Sequence, residues 1–345
     1  MFDTAVIVLA FIVSLSLSAV VRRYALKTGM MDVPNPRSSH TTPTPRGGGI
    51  AIVVAVCFTS AGLFAFGSSD WRPVAVCFVP GALVALIGYL DDRLNVAARI
   101  RILVHIVAAI VTVSLTWPWP GLAVMNGGMQ ALSALAVIFG ICWMINLYNF
   151  MDGIDGLSAS EAMFVFGSAA VLVWLSSEDS YWVALLGAAA SAAAGFLWWN
   201  SAPARIFMGD VGSGFIGLLI SGFALLTWKD GLLPLATWLI VVSLFVADAS
   251  VTLVRRMIRG ERWYSAHRSH AYQRLSRSAL GHAGVVQLSW AWNLVVLAPA
   301  AYWSVRTPEY RFVLAAFAMS ASIALVLISG AGRPEQDRQS KASFM

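Results

Sequence analysis

The sequence predicts an all-α, polytopic integral membrane protein of about eleven transmembrane helices, its amino terminus outside and its carboxyl terminus cytoplasmic. Three observations carry that reading. Of 345 residues, 59% are hydrophobic and only 12% are charged, about half the charge of a soluble domain. Apolar runs near the roughly twenty residues needed to cross a bilayer core as a helix recur along the whole chain. Lysine and arginine fall almost wholly into alternate connections.

Breaks at charge, proline and glycine clusters place the spans near 3–21, 48–67, 73–90, 102–119, 130–148, 159–176, 182–199, 211–228, 232–254, 284–304 and 311–330. The first run follows Asp3 and precedes Arg22 and Arg23, the reverse of a secretory signal's charge order, so it reads as a retained span. With the amino terminus outside, nineteen of the 23 basic residues lie in the cytoplasm, and only Arg72, Lys229, Arg306 and Arg311 lie outside. No internal repeat or second soluble domain is visible. The chain therefore reads as one transmembrane domain over 1–345, with a flexible tail from about 331. Cys57, Cys77 and Cys142 sit inside apolar runs without metal-like spacing and read as small hydrophobes. The outer connections are short or uncharged, and Trp117 and Trp119 fit an interfacial aromatic belt. Chemistry is expected on the cytoplasmic side.

Five cytoplasmic segments carry it. "MDVPNPRSSHTTPTPRGGG" is too proline-rich for regular helix, and its glycines allow close backbone approach. Its Arg37, Ser38, His40, Thr44 and Arg46 suit an anion, though a stiff basic connector would look the same. "LDDR" ends the third span. Asp91 and Asp92 point about 100° apart, so one is free for Mg²⁺ or proton transfer while the other pairs with Arg93 or Arg99. Two acids at a helix C-terminus oppose the macrodipole, which argues against a plain helix end.

"NLYNFMDGIDGL" sets Asp152 and Asp155 beside Asn146 and Asn149. Asn146, Asn149 and Asp152 share a helical face if the fifth span continues that far. Amides can read a base or ribose edge, and carboxylates can hold Mg²⁺ or accept from a ribose hydroxyl. A simple helix end and turn is the bland alternative. "FMGDVGSGF" places Asp210 among glycines at a span start, where amides can face a phosphate and the acid can hold a metal. As an N-cap alone Asp210 would be unremarkable. The longest loop holds seven arginines with His267, Arg268 and His270. Its imidazoles share one side of a helical turn, and its arginines would repel a cation, so an anion cradle fits better than zinc. Arginines resting on anionic lipid head groups are the competing reading. Asp248 is the intramembrane acid, and a structural role for it is at least as well supported as a functional one.

Acids in the middle loops and cations in the outer ones match phosphoryl transfer, in which Mg²⁺ neutralises a diphosphate while Arg and His hold the remaining oxygens. A lipid-borne phosphate would arrive from the membrane and a nucleotide from the cytoplasm. In order and spacing, "DVPNPRSSHTTPTPRGGG", "LDDR", "NLYNFMDGIDGL", "FMGDVGSGF" and "HRSHAYQRL" resemble the motifs of the bacterial polyprenyl-phosphate N-acetylhexosamine-1-phosphate transferases. The resemblance spans about residues 30 to 280, and five ordered motifs make it specific.

It implies transfer of a sugar 1-phosphate from a UDP-N-acetyl sugar to undecaprenyl phosphate with release of UMP, at the bacterial inner membrane. Carried over by motif position, Asp210 would be the firmest Mg²⁺ ligand, Mn²⁺ being able to substitute. Asp91 and Asp92 would deprotonate or orient the lipid phosphate, with Asp92 sharing in the metal. Asn146, Asn149, Asp152 and Asp155 would contact the nucleoside and the metal surroundings. His267, Arg268 and His270 would grip the diphosphate or sugar. Direct attack by the lipid phosphate is favoured over an aspartyl intermediate, because that phosphate is already a charged nucleophile. "HRSHAYQRL" is more similar to the branch that starts O-antigen or related surface polysaccharides. Membrane lipids are expected partners and nucleic acid is not, and a homodimer is left open. A Mg²⁺ transporter or channel would instead need polar residues along several spans, of which the sequence reading finds only Asp248. A CDP-alcohol phosphatidyltransferase would need an Asp-Gly-x-x-Ala-Arg run that "DGIDGLSAS" lacks.

Overall fold

A computed structural model describes residues 2–34, 39, 41–67, 70–177, 179–261 and 267–334. Arg37, Ser38 and His40, three of the predicted anion-binding residues, lie outside the described residues. Among the described residues, ten helices are long and apolar enough to cross a membrane, or eleven with one bent pair counted as a span. The all-α expectation therefore holds. Apart from the helices, the described residues form one short antiparallel pair, β1 (Met31–Asp32) with β2 (Thr44–Pro45), in the register Met31 to Pro45.

The helices are α1 (Phe2–Thr28), α2 (Ile50–Gly67), α3 (Arg72–Leu94), α4 (Ala98–Thr116), α5 (Gly127–Phe150), α6 (Leu157–Ser176), α7 (Ser180–Asn200) and α8 (Asp210–Lys229). The broken ninth span follows as α9 (Leu235–Val241) and α10 (Ser243–Ile258), then the short α11 (Ala271–Ser276), α12 (Gly281–Arg306) and α13 (Arg311–Ile328). Helix α1 runs past its expected end at Val21. Lys27 in its last turn complements the terminal carbonyls, and Gly29, at φ 73°, ends it. Side chains start two others: Asn126 accepts from Met129 N at 2.9 Å ahead of α5, and Asp179 from Trp182 N at 3.0 Å ahead of α7.

The ninth span departs from the straight helix expected over 232–254. It bends by 72° between α9 and α10, and Ser243 at the break meets Ser322 Oγ at 3.1 Å, which also accepts from Trp292 Nε1 at 3.2 Å. No proline or glycine marks the break, so the sequence carries no signal for it. In lipid, such polar contacts between helices and close small-residue packing do the joining. Thus Ser14 Oγ donates to Ala192 O at 2.6 Å, and a side chain at Gly195 would overlap the backbone of α1 near Leu15.

A second intramembrane acid escapes the sequence reading. Glu161 is buried in α6, and Asn293, at a π-helical turn of α12, donates to its Oε2 at 2.7 Å. The pair fastens α12 to α6.

Helix α8 is the most enclosed span. Its amino-terminal end begins at Asp210, and α3 meets it so closely that a Cβ at Gly88 would overlap the Asp210 carbonyl. The first loop is laced to the same place. Phe207 N donates to Pro45 O at 2.8 Å, Gly48 N to Phe207 O at 2.9 Å and Gly49 N to Met208 O at 2.9 Å. Two motifs separated by about 160 residues of chain therefore form one surface.

Candidate active site

The start of α8 lacks a cap of its own. Gly209 holds the N-cap position at φ 74° and ψ 171°, a conformation that favours glycine, and its side of the backbone is filled by Asp92. Asp92 supplies the missing acceptor from α3. Its Oδ1 accepts from Asp210 N at 3.1 Å and its Oδ2 from Val211 N at 3.4 Å, placing a negative charge at a helix N-terminus. Arg46 Nε pairs with Asp92 at 2.7 Å, and the Asp92 side chain is wholly enclosed. Asp91, one residue earlier, pairs with Arg101 at 2.5 Å. The expected partner was Arg93 or Arg99. Arg93 instead donates to Tyr24 Oη at 2.7 Å and stacks over Tyr24 and Tyr89.

Asp210 stands between the two arginines. Arg46 Nη2 reaches its Oδ1 at 3.1 Å and Arg101 Nη1 its Oδ2 at 2.8 Å. Burial works against the charge of Arg46, but Asp92 and then Asp210 outweigh it and hold its pKa above the usual value. Arg101 was read from sequence only as a topological cation, and nothing in "ARIR" marks it further.

Asp210, Arg46, Asn149, Asp152 and Asp155 line one cavity of about 340 Å³, together with Asn200, Gln273 and His282. Asn149 Nδ2 approaches Ser213 Oγ at 3.4 Å. Burial is the largest influence on Asp152. The Ser158 hydroxyl and Arg46 oppose it, Asp210 and Asp92 add to it, and the carboxyl is held well above the usual carboxylate range. Asp155 is tied into its loop, with Oδ2 accepting from Ala204 N at 3.0 Å and lying 3.2 Å from His282 Nδ1. Asn200 bridges the same strands of chain, accepting from Gly156 N at 3.0 Å and donating to Ile206 O at 2.9 Å. Asn146, Asp91 and Asp92 are not part of the cavity lining, and the Asn146 amide donates to Cys142 O at 2.7 Å and lies 3.4 Å from His105.

The histidine motif reaches the cavity through its neighbours. His267, Arg268 and His270 are absent from the lining, whereas Gln273 is part of it. Asp248 explains the placement. Its Oδ1 accepts from Ala271 N at 2.8 Å and from Thr252 Oγ1 at 3.2 Å, and its Oδ2 accepts from Tyr272 N at 3.0 Å, so it holds the first turn of α11 against α10. Tyr272 Oη then donates to Phe150 O at 2.8 Å and fills the space beside Gly153, docking α11 on the end of α5. His270 stacks between Phe150 and Tyr272, with ring centroids 6.4 and 5.7 Å apart. His267 stacks on His270 at 4.9 Å, and burial, then His270 and Arg256, drive its pKa down to about 3. At neutral pH, His267 therefore offers a hydrogen bond and no positive charge.

Hard carboxylate and amide oxygens facing one cavity fit Mg²⁺, which is held by one or two carboxylates plus substrate phosphates more often than by an all-protein cage. Among the described residues no three His, Cys, Asp or Glu converge in a ligating cluster. Asp210 and Asp152, carboxylates from two motifs on the wall of the same cavity, are the donors that fit best.

The profile described as glycosyl transferase family 4 matches residues 74–228, from α3 to the end of α8. A probable undecaprenyl-phosphate N-acetylglucosaminyl 1-phosphate transferase of Bacillus subtilis is 30% identical over 287 residues, covering 80% of this chain and 79% of its own. A decaprenyl-phosphate N-acetylglucosaminephosphotransferase of Mycolicibacterium smegmatis is 30% identical over 343 residues, covering 89% and 84%. The undecaprenyl-phosphate alpha-N-acetylglucosaminyl 1-phosphate transferase of Escherichia coli is 28% identical over 284 residues, covering 74% and 72%. The chain belongs to glycosyl transferase family 4, as a multi-pass membrane polyprenyl-phosphate N-acetylhexosamine-1-phosphate transferase.

Proposed function

We propose that this protein transfers an N-acetylhexosamine 1-phosphate from a UDP-sugar to undecaprenyl phosphate, releasing UMP at the cytoplasmic face of a bacterial inner membrane. The product would start O-antigen or a related surface polysaccharide. One observation carries the reading: Asp210 shares its cavity with Arg46, from a second motif, and with Asn149, Asp152 and Asp155, from a third. A volume of about 340 Å³ lies within the range of small-ligand pockets.

Bound Mg²⁺, held by Asp210 with Asp152, would neutralise diphosphate charge and polarise the phosphorus under attack. The chain's own groups do the positioning. Arg46 and Arg101 face the same carboxylate and present guanidinium forks suited to phosphate oxygens. Asn149 and Asp155 supply an amide and a carboxylate to the nucleoside side of the cavity. A deprotonated oxygen of the lipid phosphate attacks the β-phosphorus in line. One phosphorus–oxygen bond forms, the one to the UMP oxygen breaks, and the sugar–oxygen bond is untouched. Asp92, enclosed and committed to the α8 amides, acts through Asp210 by fixing its backbone.

The test is a donor screen. Purified protein with undecaprenyl phosphate should release UMP from at least one UDP-N-acetyl sugar among glucosamine, galactosamine, fucosamine and quinovosamine donors. Release should stop with EDTA and return with Mg²⁺ or Mn²⁺. Silence across the panel with an active lipid acceptor would reject the reading.

A further inference from the structure

The carboxylate best placed for a metal is already fully engaged by the protein. Four ion pairs join Asp91, Arg101, Asp210, Arg46 and Asp92, and each oxygen of Asp210 accepts from a different guanidinium, at 3.1 and 2.8 Å. Asp92 has no exposed side-chain surface, whereas Arg46 and Arg101 keep 30% and 31% of theirs. The arginines are thus the members an incoming anion can reach.

Resting on the transferase reading above, we infer that Arg46 and Arg101 are exchangeable counterions of Asp210. They hold its carboxylate in the free protein and pass to the phosphates of the arriving nucleotide. Guanidinium forks match phosphate oxygens at least as well as carboxylate oxygens, so the exchange keeps both arginines paired while it exposes Asp210 to a cation. The consequence is an order of binding. Nucleotide prepares the metal site, and the cation binds with it or after it. By linkage, the cation strengthens nucleotide binding by the same factor.

The experiment is Mn²⁺ binding to the purified full-length chain, read from the resonance signal of free Mn²⁺, with and without UMP. The wild type should bind Mn²⁺ about tenfold more tightly with UMP present. Arg101→Gln should bind Mn²⁺ about fivefold more tightly than wild type without UMP, and should lose most of the gain that UMP brings. Arg46→Gln, which leaves the Arg101 pairs with Asp91 and Asp210 in place, serves as the second variant. If one variant fails to fold, the other, read for the same gain in Mn²⁺ affinity without UMP and the same loss of the UMP effect, decides. Equal Mn²⁺ affinity with and without UMP, in a preparation that turns over, would overturn the exchange and leave the transferase reading standing. Absence of both UMP binding and turnover would remove the reading and the inference together.

Discussion

Asp210→Asn is expected to lower turnover by about a thousandfold, the scale seen when a charge that stabilises a transition state is removed. The substitution keeps one oxygen for Arg46 but turns an amide toward Arg101, donor against donor. It also removes the anion that Mg²⁺ needs. The protein should remain folded, because Asp91 and Asp92 still balance Arg101 and Arg46, and Asp92 still accepts from the α8 amides. Turnover of undecaprenyl phosphate and the melting transition in detergent, measured side by side, check both halves. Near-normal turnover would take Asp210 out of the metal site.

Asp248→Ala should cost about 3 kcal/mol or more of stability and raise the donor KM at least about tenfold. The stability estimate follows from orphaning the Ala271 and Tyr272 amides and the Thr252 hydroxyl, each buried donor costing about 1–3 kcal/mol when left unpaired. The KM effect follows from geometry. Without the cap, α11 loses its hold on α10, and with it the Tyr272 bond to Phe150 and the place of Gln273 in the cavity wall. Asp248→Asn keeps an acceptor for one amide and should fall between alanine and wild type. Thermal melts and UMP release against donor concentration measure the two effects. A destabilised variant with unchanged KM would show that the histidine motif is held some other way.

Much of this was legible in the sequence because bilayer physics writes long apolar runs and places charge at their ends. The five polar stretches were legible too, since Asp, Asn, Gly and Arg at span ends are costly without a task. What escaped was pairing. That Asp92 caps α8, 118 residues onward, depends on how closely Gly88 lets α3 approach, and no local pattern records that distance. Arg101 looked like one more basic residue among several, yet it holds both Asp91 and Asp210. Asp248 was seen as an intramembrane acid, but its partners are amides of a helix that begins 23 residues later. Glu161 was passed over near a span start, and only its contact with Asn293 in α12 gives it a role. His282 and Asn200, both lining the cavity, sit in segments whose local sequence reads as ordinary helix start and helix end.

The most direct measurement follows the β-phosphorus of the donor. Purified protein, undecaprenyl phosphate and a UDP-N-acetyl sugar labelled at that phosphorus should yield labelled lipid diphosphate sugar and unlabelled UMP in equal amounts. Labelled UDP in solution, with a lipid bearing one phosphate and the sugar, would mean that the sugar–oxygen bond breaks, and the role given to the Asp210 cavity would be wrong.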